Sequence, residues 1–195
     1  MSDCVTCGTL PDFVSANTGR DEWLPGEVGR LNRLWNATGS NDVDAMLCPT
    51  CGAWFEWRDD TAWTGSGNHD EQTLKRLPPE AWVVLERLLH GDVSHAVALL
   101  EAAREHLSSD LRSRALGKLS DATFSTMLPA LFEVFRSPDG GDMENHELYG
   151  LLRRVETREP LRSQYLALAE ASTTPLSARA KYLVELCEAE AAKQR

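Results

Sequence analysis

Two hydrophobic patterns divide the chain. From residue 79 onward, apolar residues recur at spacings of three and four, the period of a helix with one buried face. Before that point the apolar residues form short aromatic or aliphatic runs broken by Gly, Pro and Asp, which predicts turns and short strands. The expected fold class is α+β: a small β module over residues 1–78 followed by an all-α domain over 79–195.

Caps segment the helical half. Leu77-Pro78-Pro79-Glu80 starts a helix whose stripe is Trp82, Leu85, Leu88 and Leu89, and Gly91 stops it. Asp92 is expected to cap a second helix, with Val93, Ala96, Val97, Leu100 and Leu107 inward. Ser109 or Asp110 caps a third, carrying Leu111, Ala115, Leu116 and Leu119. Asp121 caps a fourth, carrying Phe124, Met127, Leu128, Leu131 and Phe135, which Pro129 should kink or split. After a loop at Ser137-Pro138-Asp139-Gly140-Gly141, Asp142 opens a helix with Leu148, Leu151, Leu152 and Val155. Pro160 begins another with Leu161, Tyr165 and Leu168, and Thr174-Pro175 opens the last. Seven helices with short connections predict helical hairpins, packed as a bundle or as an irregular α-solenoid. Hairpin starts near 79, 109 and 143 share no fixed positions, so no repeat family is implied.

In the first half, Ala53-Trp54-Phe55-Glu56-Trp57-Arg58 predicts a strand. Asp59-Asp60 is expected to turn the chain into a partner strand at Thr61-Ala62-Trp63-Thr64. The chemistry lies just before it. Cys4-Val5-Thr6-Cys7-Gly8 and Cys48-Pro49-Thr50-Cys51-Gly52 are two C-x-x-C knuckles, each followed by Gly. Such spacing lets one tight turn present two thiolates to one ion, and two turns complete a tetrahedral sulfur shell. Cys4, Cys7, Cys48 and Cys51 are therefore the expected ligands of a structural Zn²⁺, with iron as the less favoured metal. A knuckle feeding a hairpin predicts a zinc ribbon. The 40-residue insert between knuckles is expected to fold over that ribbon, with Trp23 and Trp35 as packing residues.

Charge narrows the partners. The chain carries 30 acidic and 20 basic residues, net −10. Residues 1–78 hold 12 acids and 6 bases, and residues 79–195 hold 18 and 14, so neither half hides a basic module. Stacking on single-stranded nucleic acid needs a positive groove, so a nucleic-acid-associated zinc ribbon is the alternative rather than the leading reading. The opening residues MSDCVTCG show no basic n-region before an apolar stretch, and no signal peptide or membrane span is expected. Reduced thiols fit a cytoplasmic location.

The stretch CPTCGAWFEWRDDTAWTGSGNHDEQTLKRLPP, residues 48–79, resembles a group of uncharacterised bacterial proteins. In these a CPxCG knuckle runs into an aromatic strand, a Gly-Ser turn, an acidic segment and a Leu-x-Arg-Leu ending. Asn68, Asp70, Glu71, Leu74, Arg76 and Leu77 match the last part. The resemblance implies a bacterial zinc-ribbon module followed by helices, and no assigned activity.

Other polar groups point to ordinary surface. His69-Asp70-Glu71 is expected to be a solvated turn. Glu144, His146 and Glu147 lack the second His of a zinc-protease helix. His90 suits a helix C-terminus. His95 and His106 stand three turns apart on one expected helix, too far to share an ion. Cys187 falls on an apolar helix face as an inert thiol. Arg153, Arg154, Arg158 and Arg162 interleave with Glu156 and Glu159 as a salt-bridged surface. The expected function is thus non-catalytic: an adaptor, regulator or immunity protein whose acidic surface binds another, basic protein. An enzyme using a cleft between the two halves, with His69 or His146, is a further alternative.

Overall fold

The computed structural model describes residues 4–36, 42–64, 67–134 and 161–172. The fold is α+β, an antiparallel five-stranded sheet followed by helices. The chain divides into two compact units, Met1–Trp82 and Val83–Arg195.

The first unit is built on strands β1 (Phe13–Asn17), β2 (Asn32–Arg33), β3 (Asp42–Leu47), β4 (Trp54–Thr64) and β5 (Gly67–Arg76), in spatial order β1-β5-β4-β3-β2. Three expectations fail here. Asp59 and Asp60 do not turn the chain: they lie inside β4, opposite Gln72 and Glu71 of β5. Gln72 Nε2 donates to Asp59 Oδ2 at 3.0 Å, so an acid that would favour a turn is held in the ladder by a cross-strand amide. Nor are His69, Asp70 and Glu71 a turn, because they belong to β5. The insert between the knuckles does not lie over the sheet as a separate cover. It supplies β1, β2 and β3 to the sheet, together with two 3-10 turns at Thr18–Arg20 and Gly26–Arg30. Backbone ladders between β4 and its neighbours, and between β5 and the distant β1, override local turn propensity there.

One face of this sheet holds the core. Met46, Phe55, Trp57 and Leu74 stand side by side across β3, β4 and β5 and pack with Leu10, Val28, Leu31, Ala53, Cys7 and Cys48. Trp82 packs against the same cluster, and its indole N–H donates to Leu77 O at 2.6 Å, so the first turn of α1 belongs to this unit.

The described helices are α1 (Pro79–Leu89), α2 (Ala96–His106), α3 (Ser109–Gly117), α4 (Asp121–Val134) and α5 (Leu161–Glu170). Gly91 ends α1 at φ +66°. Asp92 N–H donates to Arg87 O and Gly91 N–H to Leu88 O, the paired bonds of a Schellman ending. Asp92 does not cap α2. Its carboxylate is taken by Arg87 Nε at 3.0 Å and by the Ser94 amide at 3.1 Å, so it ties the α1–α2 loop instead. Helix α2 starts later, after His95 in a left-handed conformation, and buries Leu99, Leu100 and Ala103. His95 and His106 are thus the residue before the helix and its last residue. Ser108, one residue earlier than expected, caps α3 by accepting the Leu111 amide at 3.2 Å. Ser120 does the same for Thr123 ahead of α4. Buried Arg112 reaches back to Ala103 O and Leu107 O at 3.3 and 3.4 Å, satisfying carbonyls at the end of α2.

Pro129 neither splits nor ends α4. Proline has no N–H for the carbonyl four residues back, which leaves Ser125 O without its helical donor. Gln164 of α5 supplies one: its Nε2 donates to Ser125 O at 3.0 Å, while the Ser125 hydroxyl donates to Gln164 Oε1. The helix therefore keeps its course by borrowing a side-chain amide. Around it Phe124, Met127, Leu128, Leu131 and Phe132 are buried with Leu161 and Tyr165. Phe132 and Tyr165 rings lie 5.4 Å apart. The predicted elements at 135–160 and 173–195, and with them Phe135, His146, Cys187, Arg153, Arg154 and Arg158, lie outside the described residues.

Candidate metal centre

The four knuckle cysteines come together. The first knuckle precedes β1, and the second is the connection from β3 to β4. Each knuckle closes on its own first carbonyl: Gly8 N–H donates to Cys4 O at 2.7 Å and Gly52 N–H to Cys48 O at 3.0 Å. Gly52 sits at φ +74°, a conformation any Cβ would strain, and a bond from Cys48 N–H to Ala53 O then returns the chain into β4.

The two knuckles face one another with a constant offset of 44 residues. Cys4 Sγ lies 3.7 Å from Cys48 Sγ, the Thr6 hydroxyl 2.6 Å from that of Thr50, and Cys7 Sγ 3.5 Å from Cys51 Sγ. All four sulfurs fall within 4.8 Å of one another. A disulfide would need about 2.05 Å. Four sulfurs at about 2.3 Å from a central ion would stand about 3.8 Å apart. The observed spacing fits four ligands around one ion, and all-thiolate donors suit zinc or iron. With four sulfurs the shell is full, leaving no position for water or substrate.

The sulfurs differ in environment. Cys7 and Cys48 are buried in the sheet core, Cys4 is half-buried and Cys51 exposed. Backbone amides of Cys7 and Thr6 aim at the Cys4 sulfur and lower its pKa to about 6. Loss of hydration pushes Cys7 up to about 12, and it raises Cys51 as well.

Sequence reasoning noticed Arg76 only as part of a resemblance. In the structure it braces the first knuckle. Its Nη2 donates to Cys7 O at 2.9 Å and to Leu10 O at 3.3 Å, and Nη1 lies 3.8 Å from Cys7 Sγ. Its Nε pairs with Asp12 at 3.1 Å, and the guanidinium lies 4.6 Å from the centre of the Phe55 ring. A cation at this place orients the knuckle and would offset the negative charge of four thiolates if they held a divalent ion. The available signal was an Arg following Lys75 at the end of β5.

The remaining candidates are dispersed. Asp70 and Glu71 are strand residues, and the Asp70 carbonyl accepts from the Thr18 hydroxyl. His90 is exposed at the end of α1, and Arg162 lies on α5. Trp23 does not pack inside: it is 70% exposed, because the loop carrying it turns its ring outward at the edge of a recess of roughly 440 Å³ with Leu24, Pro25 and Val28. Trp35 is half-buried, and its backbone N–H donates to the buried Asp44 carboxylate at 3.0 Å. Among the described residues no helix is long and apolar enough to cross a membrane.

No family model matches the chain, and no solved structure matches it. A curated protein does, terpene cyclase rstn5 of Aspergillus nomiae NRRL, at 30% identity over 82 residues. The match takes in 42% of this chain and spans 22% of that protein's length.

Proposed function

We propose that the first unit is a zinc ribbon with a structural Zn²⁺ on Cys4, Cys7, Cys48 and Cys51, and that the protein is a non-catalytic binding module. The observation that carries this reading is the four-sulfur cluster at 3.5–3.7 Å cross-knuckle spacing, full and braced by Arg76. A closed shell gives the ion the task of holding the fold rather than activating water. The resemblance of residues 48–79 to bacterial CPxCG proteins supports the same reading, as does the packing of α2 with α3 and α4 for a helical-hairpin domain. The net charge of −10 favours a basic protein partner and disfavours nucleic acid. The terpene cyclase match covers too little of that protein to bring its activity here.

Metal analysis of protein purified without chelator tests the site. The expected result is one zinc per chain. Iron would instead give coloured protein, and absence of any metal would overturn the reading. Native mass spectrometry of the protein recovered from its source cells tests the partner; recovery of acidic partners alone counts against a charge-steered contact.

A further inference from the structure

We propose that the outer edge of β1 is a self-association site, pairing with β1 of a second copy in antiparallel register about Val14. The inference goes beyond the metal reading and does not depend on which ion is bound.

The direction of each backbone group in β1 follows from its ladder. Arg76 N–H donates to Asp12 O, and β1 pairs with β5 as Phe13↔Lys75, Val14↔Leu74 and Ser15↔Thr73. In an antiparallel strand both polar groups of a residue point the same way, and the side alternates. Asp12, Val14 and Ala16 thus bond to β5. Pro11, Phe13, Ser15 and Asn17 point outward, where, among the described residues, the sheet has no further strand.

Neither end of that outward row offers a free N–H. Pro11 has no N–H. Asn17 N–H donates to Glu22 Oε2 at 3.1 Å, and Asn17 O accepts the Glu22 amide at 3.1 Å. Among the described residues, the N–H and C=O of Phe13 and Ser15 stay open, both residues being exposed, Phe13 at 60%. The opposite edge strand, β2, is two residues long. Edge strands are usually guarded by charge, Pro or a bulge, and Phe13-Val14-Ser15-Ala16-Asn17 carries none of these.

The open groups match themselves under a two-fold axis. With Val14 opposite Val14 of the second copy, Phe13 faces Ser15 and Ser15 faces Phe13, so all four open groups of each copy are paired. Pro11 then stands opposite Asn17, and the ladder stops there because Pro11 has no N–H to give and the Asn17 N–H is held by Glu22. The row Leu74-Val14 continues into Val14-Leu74 on the core face.

Charge favours this occupant over a basic peptide. The strand is uncharged, and the nearest acid, Asp12, already pairs with Arg76 and would face Ala16 of the second copy. A basic peptide gains nothing at the seam. At one hydrogen bond per ~100–200 Å², four bonds correspond to roughly 400–800 Å² of interface, below the ~1,200 Å² of stable complexes. The dimer is accordingly a weak one that forms at high concentration.

Sedimentation equilibrium of the full, metal-loaded chain from micromolar to millimolar concentration tests this, with hydrogen exchange at both ends of the range. Expected are a monomer–dimer equilibrium and slowed exchange at the Phe13 and Ser15 amides on dimerisation, with Asn17 unchanged. Association should tighten with salt, because copies of net charge −10 repel at long range. Ser15→Lys should weaken association by about tenfold or more, since an edge charge blocks strand addition. Ser15→Pro, which removes one of the open N–H groups, should act likewise. Metal content and circular dichroism of both variants check that they fold. A chain monomeric to ~1 mM, above the range expected for so small an interface, would overturn the proposal. So would protection mapped away from β1, association that weakens with salt, or folded variants that dimerise as the wild type does.

Discussion

The two units bury their interiors by different means. In the first, ten buried residues form the sheet core, and two of them, Cys7 and Cys48, are candidate metal ligands. In the second, the described core is built from Leu, Phe, Ala, Met, Val and Tyr, with Leu99, Leu100, Leu111, Leu116, Phe124 and Leu128 essentially inaccessible. The first core is finished by polar chemistry at one end, while the described core of the second is hydrocarbon apart from buried Arg112, which bonds the carbonyls at the end of α2. A unit of about 80 residues buries too small a fraction of its surface to rely on packing comfortably, and a bound ion is a common remedy.

That contrast predicts opposite responses to the same treatment. The largest effect is expected from strong chelation or Cys48→Ser. Structural zinc in small domains contributes about 10–16 kcal/mol of apparent binding energy, so the first unit should unfold while helical signal persists. Tryptophan fluorescence follows the loss, because five of six Trp lie within residues 1–78. Loss of both signals together would mean that the units do not fold separately. The reciprocal experiment is Leu128→Ala, expected to cost about 2–5 kcal/mol in the thermal melt of the helices with metal content unchanged.

Smaller changes sharpen the comparison. Arg76→Met removes the donors to Cys7 O and Leu10 O and should lower metal affinity about 10–100-fold in competition with a chromogenic chelator. Arg76→Lys should recover only part, because one ammonium cannot reproduce a two-carbonyl fork. In the helical unit, Gln164→Ala leaves Ser125 O unpaired opposite Pro129 and should cost about 1–3 kcal/mol by denaturant unfolding. In a Pro129→Ala background, where a helical N–H is restored, that cost should largely disappear. The smallest effect concerns Asp92, whose carboxyl is held below the usual range by Ser94 and Arg87. A depressed pKa contributes stability that is present above the unfolded value near 3.9 and is lost as pH falls through the folded value. Asp92→Asn should therefore lower the pH 7 melting temperature slightly, flatten the acid limb of the stability curve, and leave melting at the acid end nearly unchanged.

The four cysteines were legible because knuckle spacing is local and its chemistry is specific. Their convergence required no knowledge of the sheet between them. The apolar stripes of α1, α3 and α4 were legible for a similar reason, since helical period and caps act within a few residues. Of the strands, the start of β4 at Trp54–Arg58 was legible and the rest of the sheet was not. Asp59, Asp60, His69, Asp70 and Glu71 have turn-like composition, and they are extended only because β4 and β5 pair along ten positions. β1 was missed altogether, since its partner Lys75 is 62 residues from Phe13. Pro129 misled for the converse reason: the donor that compensates for it stands on a helix 39 residues away. Arg76 escaped notice because its value lies in two backbone carbonyls that no sequence pattern displays.

The 44-residue offset between knuckles also bears on how the chain reaches its fold. Joining Cys4 to Cys48 and Cys7 to Cys51 closes a loop whose entropic cost is roughly 3 kcal/mol beyond a constant. That loop contains β1, β2 and β3, and once it is shut β1 has only to meet β5. An ion captured early would thus shorten the search for the most distant strand pair in the unit, and refolding of the sheet should be markedly slower when metal is added late than when it is present from the start.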